Sequence, residues 1–198
     1  MQDFLSTLSR TKMIPRSGWI SHGVSLLDVE SIADHSFSTA LLATLMADIE
    51  FDHGNRVGVE RVLRMALLHD LSETLTFDIS KEYLTYLGNR GKAIKDELDE
   101  AAARHVFAAI KEPKIRGKYG SLQREFEAEQ SIESKIVHDA DHLDILLQVV
   151  EYAKRGYSKR LLAPLWNSTE KELRKSKLQS SRQLRRMVSS LYQKQVLR

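Results

Sequence analysis

Residues 66–80, ALLHDLSETLTFDIS, begin as an apolar helix and then present His69, Asp70, Glu73 and Asp78. His69 and Asp70 stand three and four positions beyond Ala66, so both continue the buried stripe of that helix. An ionised carboxylate buried without a partner costs several kcal/mol or more. The adjacent imidazole points to a cation that both groups ligate; a His-Asp pair capping the helix end, or an aspartate bonded to a distant arginine, is the other reading. His138-Asp139 repeats the dipeptide and shows how little the two letters carry alone. Glu73 changes the balance, because one more helical turn stacks it beside both residues. Acids converging on one spot repel unless a cation sits among them or one holds a proton. Either condition suits acid–base chemistry on a metal-activated water. Asp78 or Ser80 could instead cap the next helix.

Two ligands do not hold a catalytic metal, so the others must come from elsewhere. His105 falls on a charged helix and reads as solvated, and His53 in FDHGN reads as part of a turn. His35 in SIADHSFSTALL sits in the first turn of an apolar helix, with Ser38, Thr39 and Leu42 as its small or apolar neighbours, so its ring can point inward. A further acid is available in KIVHDADHLDILLQ, where Asp139 and Asp141 flank Ala140 and Asp144 follows. Spacing slightly favours Asp141 and does not decide between them. Imidazole with carboxylate suits one divalent ion: Mn²⁺, Co²⁺, Fe²⁺, Ni²⁺ or Zn²⁺, with Mg²⁺ a further candidate.

The elements that must position these groups are helices. Three prolines, nine glycines and few β-branched runs argue for an all-α chain. Residues 34–51 carry Phe37, Leu41, Leu45 and Ile49, one per turn, as in an amphipathic helix. Residues 57–72 repeat this through Val59, Val62, Leu63, Ala66 and Leu67. An amphipathic stretch at 91–110 stops before Pro113. A seam of Ile132, Ile136, Ala140, Leu143, Leu147 and Val150 marks a helix over 131–154, with Gly156 as its C-cap. EPKIRGKYGS, 112–121, reads as a loop. The basic C-terminus reads as a final helix packed through Leu184, Val188 and Leu191.

The chain has 198 residues, 42% hydrophobic and 29% charged, which suits one globular domain over 1–198. No apolar run approaches a membrane span, and the N-terminus lacks a signal-peptide pattern, so a cytoplasmic location is the default. The absence of cysteine excludes disulfides, thiolate nucleophiles and Cys-ligated zinc. A net charge of +3 with a basic C-terminus raises nucleic acid as a partner, but aromatic interleaving is thin and a solvated Lys/Arg face is the simpler account.

The order His35 … His69-Asp70 … Asp141 resembles the HD-domain phosphohydrolase superfamily, whose pattern H…HD…D spreads four ligands over separate helices. It resembles more narrowly the 5′-deoxynucleotidase branch. The motif (S/A)(E/D)HS is matched by ADHS at 33–36, HDxxExxxxD by HDLSETLTFD at 69–78, xxAD by HDAD at 138–141, and PRxGW by PRSGW at 15–19. The resemblance implies a single-domain helical bundle with His35, His69, Asp70 and Asp141 as metal ligands, which selects Asp141 over Asp139. It implies Glu73 as the acid–base residue near the phosphate, joined by Asp78. Asp78, Ile79, Ser80 and Lys81 would line the nucleotide pocket, and Arg16 and Trp19 would face phosphate and sugar, with Arg10 and Lys12 as alternatives to Arg16. Phe77 departs from the pattern, since relatives commonly carry glycine there.

The activity this implies is removal of the 5′-phosphate from deoxyribonucleoside 5′-monophosphates, by a homodimer that uses one divalent ion. The competing expectations are a triphosphate, cyclic-nucleotide or alarmone hydrolase on the same site, and a non-catalytic nucleotide- or nucleic-acid-binding protein.

Overall fold

The computed structural model describes residues 2–79 and 81–196. They form eleven helices in chain order: α1 (Gln2–Arg10), α2 (Ser17–Ser21), α3 (Ile32–Asp52), α4 (Val59–Leu68), α5 (Glu73–Thr76), α6 (Lys81–Thr85), α7 (Arg90–Ala108), α8 (Pro113–Ala128), α9 (Ile132–Lys154), α10 (Lys159–Leu173) and α11 (Gln179–Val196). No strand occurs among the described residues, only an isolated antiparallel bridge between Pro15 and Ser31. The chain is all-α, as the sequence implies.

The two longest helices, α3 and α9, form the central pair, with α4, α10 and α11 packed around them. α3 starts at a capping box in which the Ser31 hydroxyl accepts from the Asp34 amide and the Asp34 carboxylate accepts from the Ser31 amide. α9 starts at Ser131, whose hydroxyl accepts from the Ser134 amide. It ends at Arg155, followed by Gly156 at φ 92°, the left-handed position that the sequence assigns to this glycine. Ile136, Ala140, Leu143 and Val150 of the expected α9 seam are buried.

α3 turns the opposite way from its apolar stripe. Phe37, Leu41 and Leu45 are 64%, 59% and 48% exposed, while Thr39, Ala40, Ala43, Met46 and Ala47 are buried. The physical reason is backbone approach: small residues on the inner face let α3 lie close to its neighbours, and the bulky side chains are left outside. Leu63 and Leu67 of α4 point outward in the same way, while Val62 and Ala66 are buried. The segment expected to be a loop at 112–121 is instead the start of α8, with Pro113 in its first turn. Proline there surrenders an N–H that has no helical partner anyway, so it opens the helix rather than interrupting one.

The C-terminal helix is tied to α3 by a buried side chain. Glu50 Oε1 accepts from the Ser180 amide at 2.8 Å and its hydroxyl at 2.7 Å, and Oε2 accepts from Asn55 Nδ2 at 2.7 Å. Val188 is buried as expected, whereas Leu191 is 44% exposed.

Candidate metal centre

Four side chains from three parts of the chain converge beneath one cleft. His35 comes from the first turns of α3, Asp141 from the middle of α9, and His69 and Asp70 from the turn that ends α4. His35 Nε2 lies 3.1 Å from Asp141 Oδ1, 3.4 Å from Asp70 Oδ2 and 3.4 Å from His69 Nε2. His69 Nε2 lies 3.3 Å from Asp70 Oδ2. His35 is fully buried, and His69 and Asp70 nearly so.

The far side of each ring explains why these atoms need a cation. His35 Nδ1 is 2.8 Å from Asp144 Oδ2, and His69 Nδ1 is 2.7 Å from the Ala66 carbonyl oxygen. Both partners are acceptors, so each Nδ1 carries a hydrogen and each Nε2 is the nitrogen left to take a proton or a metal. The two Nε2 atoms therefore face the Asp70 and Asp141 oxygens across a place that a proton or a cation can take. Asp141 Oδ1 is buried there without a hydrogen-bond partner. His35, His69 and Asp141 bring ligand-type atoms close enough together to hold a metal ion, with Asp70 beside them, and the set contains only nitrogen and oxygen, which suits a borderline or hard metal.

A second ring of acids supports the first. Glu30, His35 and Asp144 each bring a ligand-type atom within 4.8 Å of the others. This trio is satisfied by hydrogen bonds: His35 donates to Asp144, and Trp19 Nε1 donates to Glu30 Oε1 at 2.6 Å. Its bonds fix the His35 ring through Asp144 and the Trp19 ring through Glu30.

Arg16 closes the acidic cluster on the cleft side. Its Nη1 donates to Asp70 Oδ2 at 2.6 Å, Glu73 Oε2 at 2.8 Å and Asp78 Oδ1 at 3.4 Å. Asp78 Oδ2 accepts from the Ser17 amide at 2.7 Å, and the Asp78 carbonyl accepts from the Ser17 hydroxyl. Asp78 therefore anchors the start of α2. Phe77 and Asp78 reach this arrangement at φ 57° and 47°, a left-handed pair without glycine.

These contacts pull the titrations apart. Burial raises Glu73, and the Asp70 and Asp78 charges raise it further, well above the usual carboxylate range despite Arg16. Burial also opposes ionisation of Asp70, yet the His69 and Arg16 charges outweigh it and hold Asp70 below its ordinary value. Asp141 is held low, because His35 overcomes its burial. Burial and the Arg16 charge push His35 down, but Asp141 and Asp144 more than compensate and lift it to about 10. Burial and the Asp144 charge push Glu30 up to about 7. Two neighbouring carboxyls displaced in opposite directions are the arrangement that acid–base chemistry requires.

His35, His69, Asp70, Glu73, Asp78 and Arg16 are brought together as expected, and Asp141 joins them. Asp139 points away and accepts from the Ser176 hydroxyl. The cleft, about 2000 Å³, is lined by Arg16, Trp19, Glu73, Asp78 and Ile79 among others. Trp19 is 3% exposed, with its N–H committed to Glu30 and its ring edge-on to Tyr152 at 5.0 Å. Ser80 lies outside the described residues, as does the side chain of Lys81. Glu30 and Lys95 escaped the sequence reading, and Asp144 entered it only as a spare acid. Asp144 carried a usable signal, since it stands one turn after Asp141 on the same face of α9.

Known proteins share the sequence pattern and the fold of this chain. A family described as HD domain matches residues 8–182. The 5′-deoxynucleotidase HDDC2 of Danio rerio is 28% identical over 170 residues, covering 86% of this chain and 78% of the relative. The 5′-deoxynucleotidase hdd1 of Schizosaccharomyces pombe is 28% identical over 155 residues, covering 77% and 72%. Among solved structures, the PH0347 protein of Pyrococcus horikoshii is 30% identical with a TM-score of 0.79, covering 96% of this chain and 99% of that one. An HD-domain phosphohydrolase of Listeria innocua shares the fold at 18% identity and a TM-score of 0.78, covering 100% and 90%.

Proposed function

Because the chain belongs to the HD-domain family, we propose that it is a metal-dependent 5′-deoxynucleotidase, hydrolysing deoxyribonucleoside 5′-monophosphates to deoxynucleoside and orthophosphate. The observation that carries this reading is the convergence of His35, His69, Asp70 and Asp141 around a buried Asp141 oxygen without a hydrogen-bond partner, directly beside Glu73, whose burial and acidic neighbours disfavour its ionised form. The names of the curated relatives supply the substrate class.

In this reading the four donors hold one divalent ion, which when bound polarises the phosphoryl oxygens and lowers the pKa of a water. Glu73 manages the proton. Its Oε2 is engaged by Arg16 at 2.8 Å, so Oε1 is the oxygen left to hold or pass a proton toward the reacting bond. Water supplies the oxygen that bonds to phosphorus, the bond to the 5′-oxygen breaks, and the leaving nucleoside gains a proton. Arg16 fixes Asp70, Glu73 and Asp78 in one cluster and offers its remaining N–H groups to phosphate. Ile79 and Asp78 line the sugar side, and Trp19, locked by Glu30, gives that side a rigid wall.

The substrate panel that tests this contains deoxyribonucleoside mono-, di- and triphosphates, assayed with Mn²⁺, Co²⁺, Mg²⁺ and Zn²⁺. Orthophosphate and free deoxynucleoside should appear from the monophosphates. Glu73→Gln should keep metal binding and lose turnover by about 10² or more. Tripolyphosphate or pyrophosphate released from triphosphates, with monophosphates untouched, would replace this reading by a triphosphohydrolase.

A homodimer belongs to the same proposal. The outward Phe37, Leu41 and Leu45 of α3 and Leu63 and Leu67 of α4 supply apolar surface on two helices that pack together. Leu41→Arg should shift the particle mass to that of the monomer in light scattering.

A further inference from the structure

Lys95, on α7, belongs to none of the motifs, yet its ammonium enters the acidic end of the cleft. Nζ is 2.7 Å from Asp99 Oδ2 and 4.0 Å from Glu73 Oε1, and the side chain is only 16% exposed. Glu73 Oε1 is the oxygen that Arg16 leaves unoccupied, so Lys95 borders the place where the reacting bond must lie.

Arg16 is heavily committed there, which leaves room for another cationic group to meet a phosphate. Arg16 Nη1 is shared among Asp70, Glu73 and Asp78, and Asp141 adds a fourth acid. A phosphate monoester brings nearly two further negative charges near neutral pH. Among the described residues, Lys95 is the lysine within ion-pair distance of Glu73. An ordinary i,i+4 pair accounts for its contact with Asp99 but not for its partial burial against Glu73.

We propose that Lys95 is a phosphate-binding residue, its ammonium taking a non-bridging phosphoryl oxygen of the substrate while Asp99 holds the side chain in place. The ammonium has three donors on a flexible stem, so one can stay on Asp99 while another turns to the ligand. This assignment rests on the phosphomonoesterase reading above and names one more group of the same site.

Inorganic phosphate is the probe, because it carries the recognised group without the nucleoside. Lys95→Met should raise both KM for a deoxyribonucleoside monophosphate and Ki for inorganic phosphate by about tenfold or more, as expected for losing a hydrogen bond to a charged group. Its kcat should change much less, and Lys95→Arg should recover most of the loss. In the unmodified, metal-loaded protein, phosphate should also slow acetylation of Lys95 and not of the exposed Lys114, which lies outside the cleft lining, read by peptide mass spectrometry; this needs no variant to fold. Unchanged Ki together with unprotected Lys95 would leave the residue as a salt-bridge partner only. A wild-type protein that never releases orthophosphate from monophosphates would sink the broader reading instead, so the two failures are distinguishable.

Discussion

The Nε2 atoms of His35 and His69 stand 3.4 Å apart, and the Nδ1 atom of each ring is already committed, one to Asp144 and the other to the Ala66 carbonyl. Proton and metal therefore compete for one place. In the metal-free protein His35 is lifted to about 10, above its unfolded value of about 6.5. A raised imidazole contributes stability that is complete below about pH 6.5 and is lost as pH rises through about 10. Metal binding expels this proton, so apparent affinity should climb with pH over the same interval. Thermal melts at pH 6, 7.5 and 9, with Mn²⁺ or with chelator, should show a metal-induced shift that widens with pH. A constant shift would mean that no ligand loses a proton on binding.

Asp144→Asn should weaken metal binding by about 10- to 100-fold while the fold persists. The asparagine fills the same space and its amide oxygen can still accept, but it no longer presents an anion to His35 Nδ1, so the ring loses the charge that strengthens its Nε2 as a ligand. Calorimetric titration with Mn²⁺ reads this directly. Wild-type affinity in the variant would show that the Asp144 charge adds nothing.

Much of this site was legible from spacing. His69 and Asp70 follow Ala66 by three and four, and Ala66 proved fully buried, so the inward turn of the pair was readable. The choice between Asp139 and Asp141 was not, because both flank Ala140; tertiary contact decides it, with Ser176 taking Asp139. Lys95 and Glu30 were invisible for the same reason, since their partners lie on other elements. The outward stripe of α3 misled because periodicity weighs bulk, whereas close packing there selected alanines. α8 was missed because Pro113 was read as a stop rather than as a first turn.

Arg16→Ala should cost about 3–5 kcal/mol, the range for removing one partner of a buried ion pair. Asp70, Glu73 and Asp78 would be left facing one another within the same cluster. Part of the loss should return on adding a divalent ion, which attracts the same carboxylates. Chemical denaturation with and without metal measures both effects. A variant as stable as wild type would show that water already screens these acids.

Phe77→Gly should stabilise the protein by up to about 1 kcal/mol. A left-handed backbone costs a side-chain-bearing residue roughly 1–2 kcal/mol, and glycine returns part of that gain through its freer unfolded chain. Phe77 is 61% exposed, so little packing is lost, and the Arg10 guanidinium 5.9 Å from its ring centroid is a weak contact to forfeit. The denaturant midpoint tests it. A lower midpoint would assign the aromatic ring a packing role that outweighs its strained backbone.

The double attachment of Asp78 to Ser17, next to the Arg16 that clasps Asp70, welds the two rims of the opening into one moving part. Neither rim can swing outward alone. Arg16 ties that part to Asp70, so in the reading proposed above, any widening that lets phosphate out would also pull on a ligand of the ion.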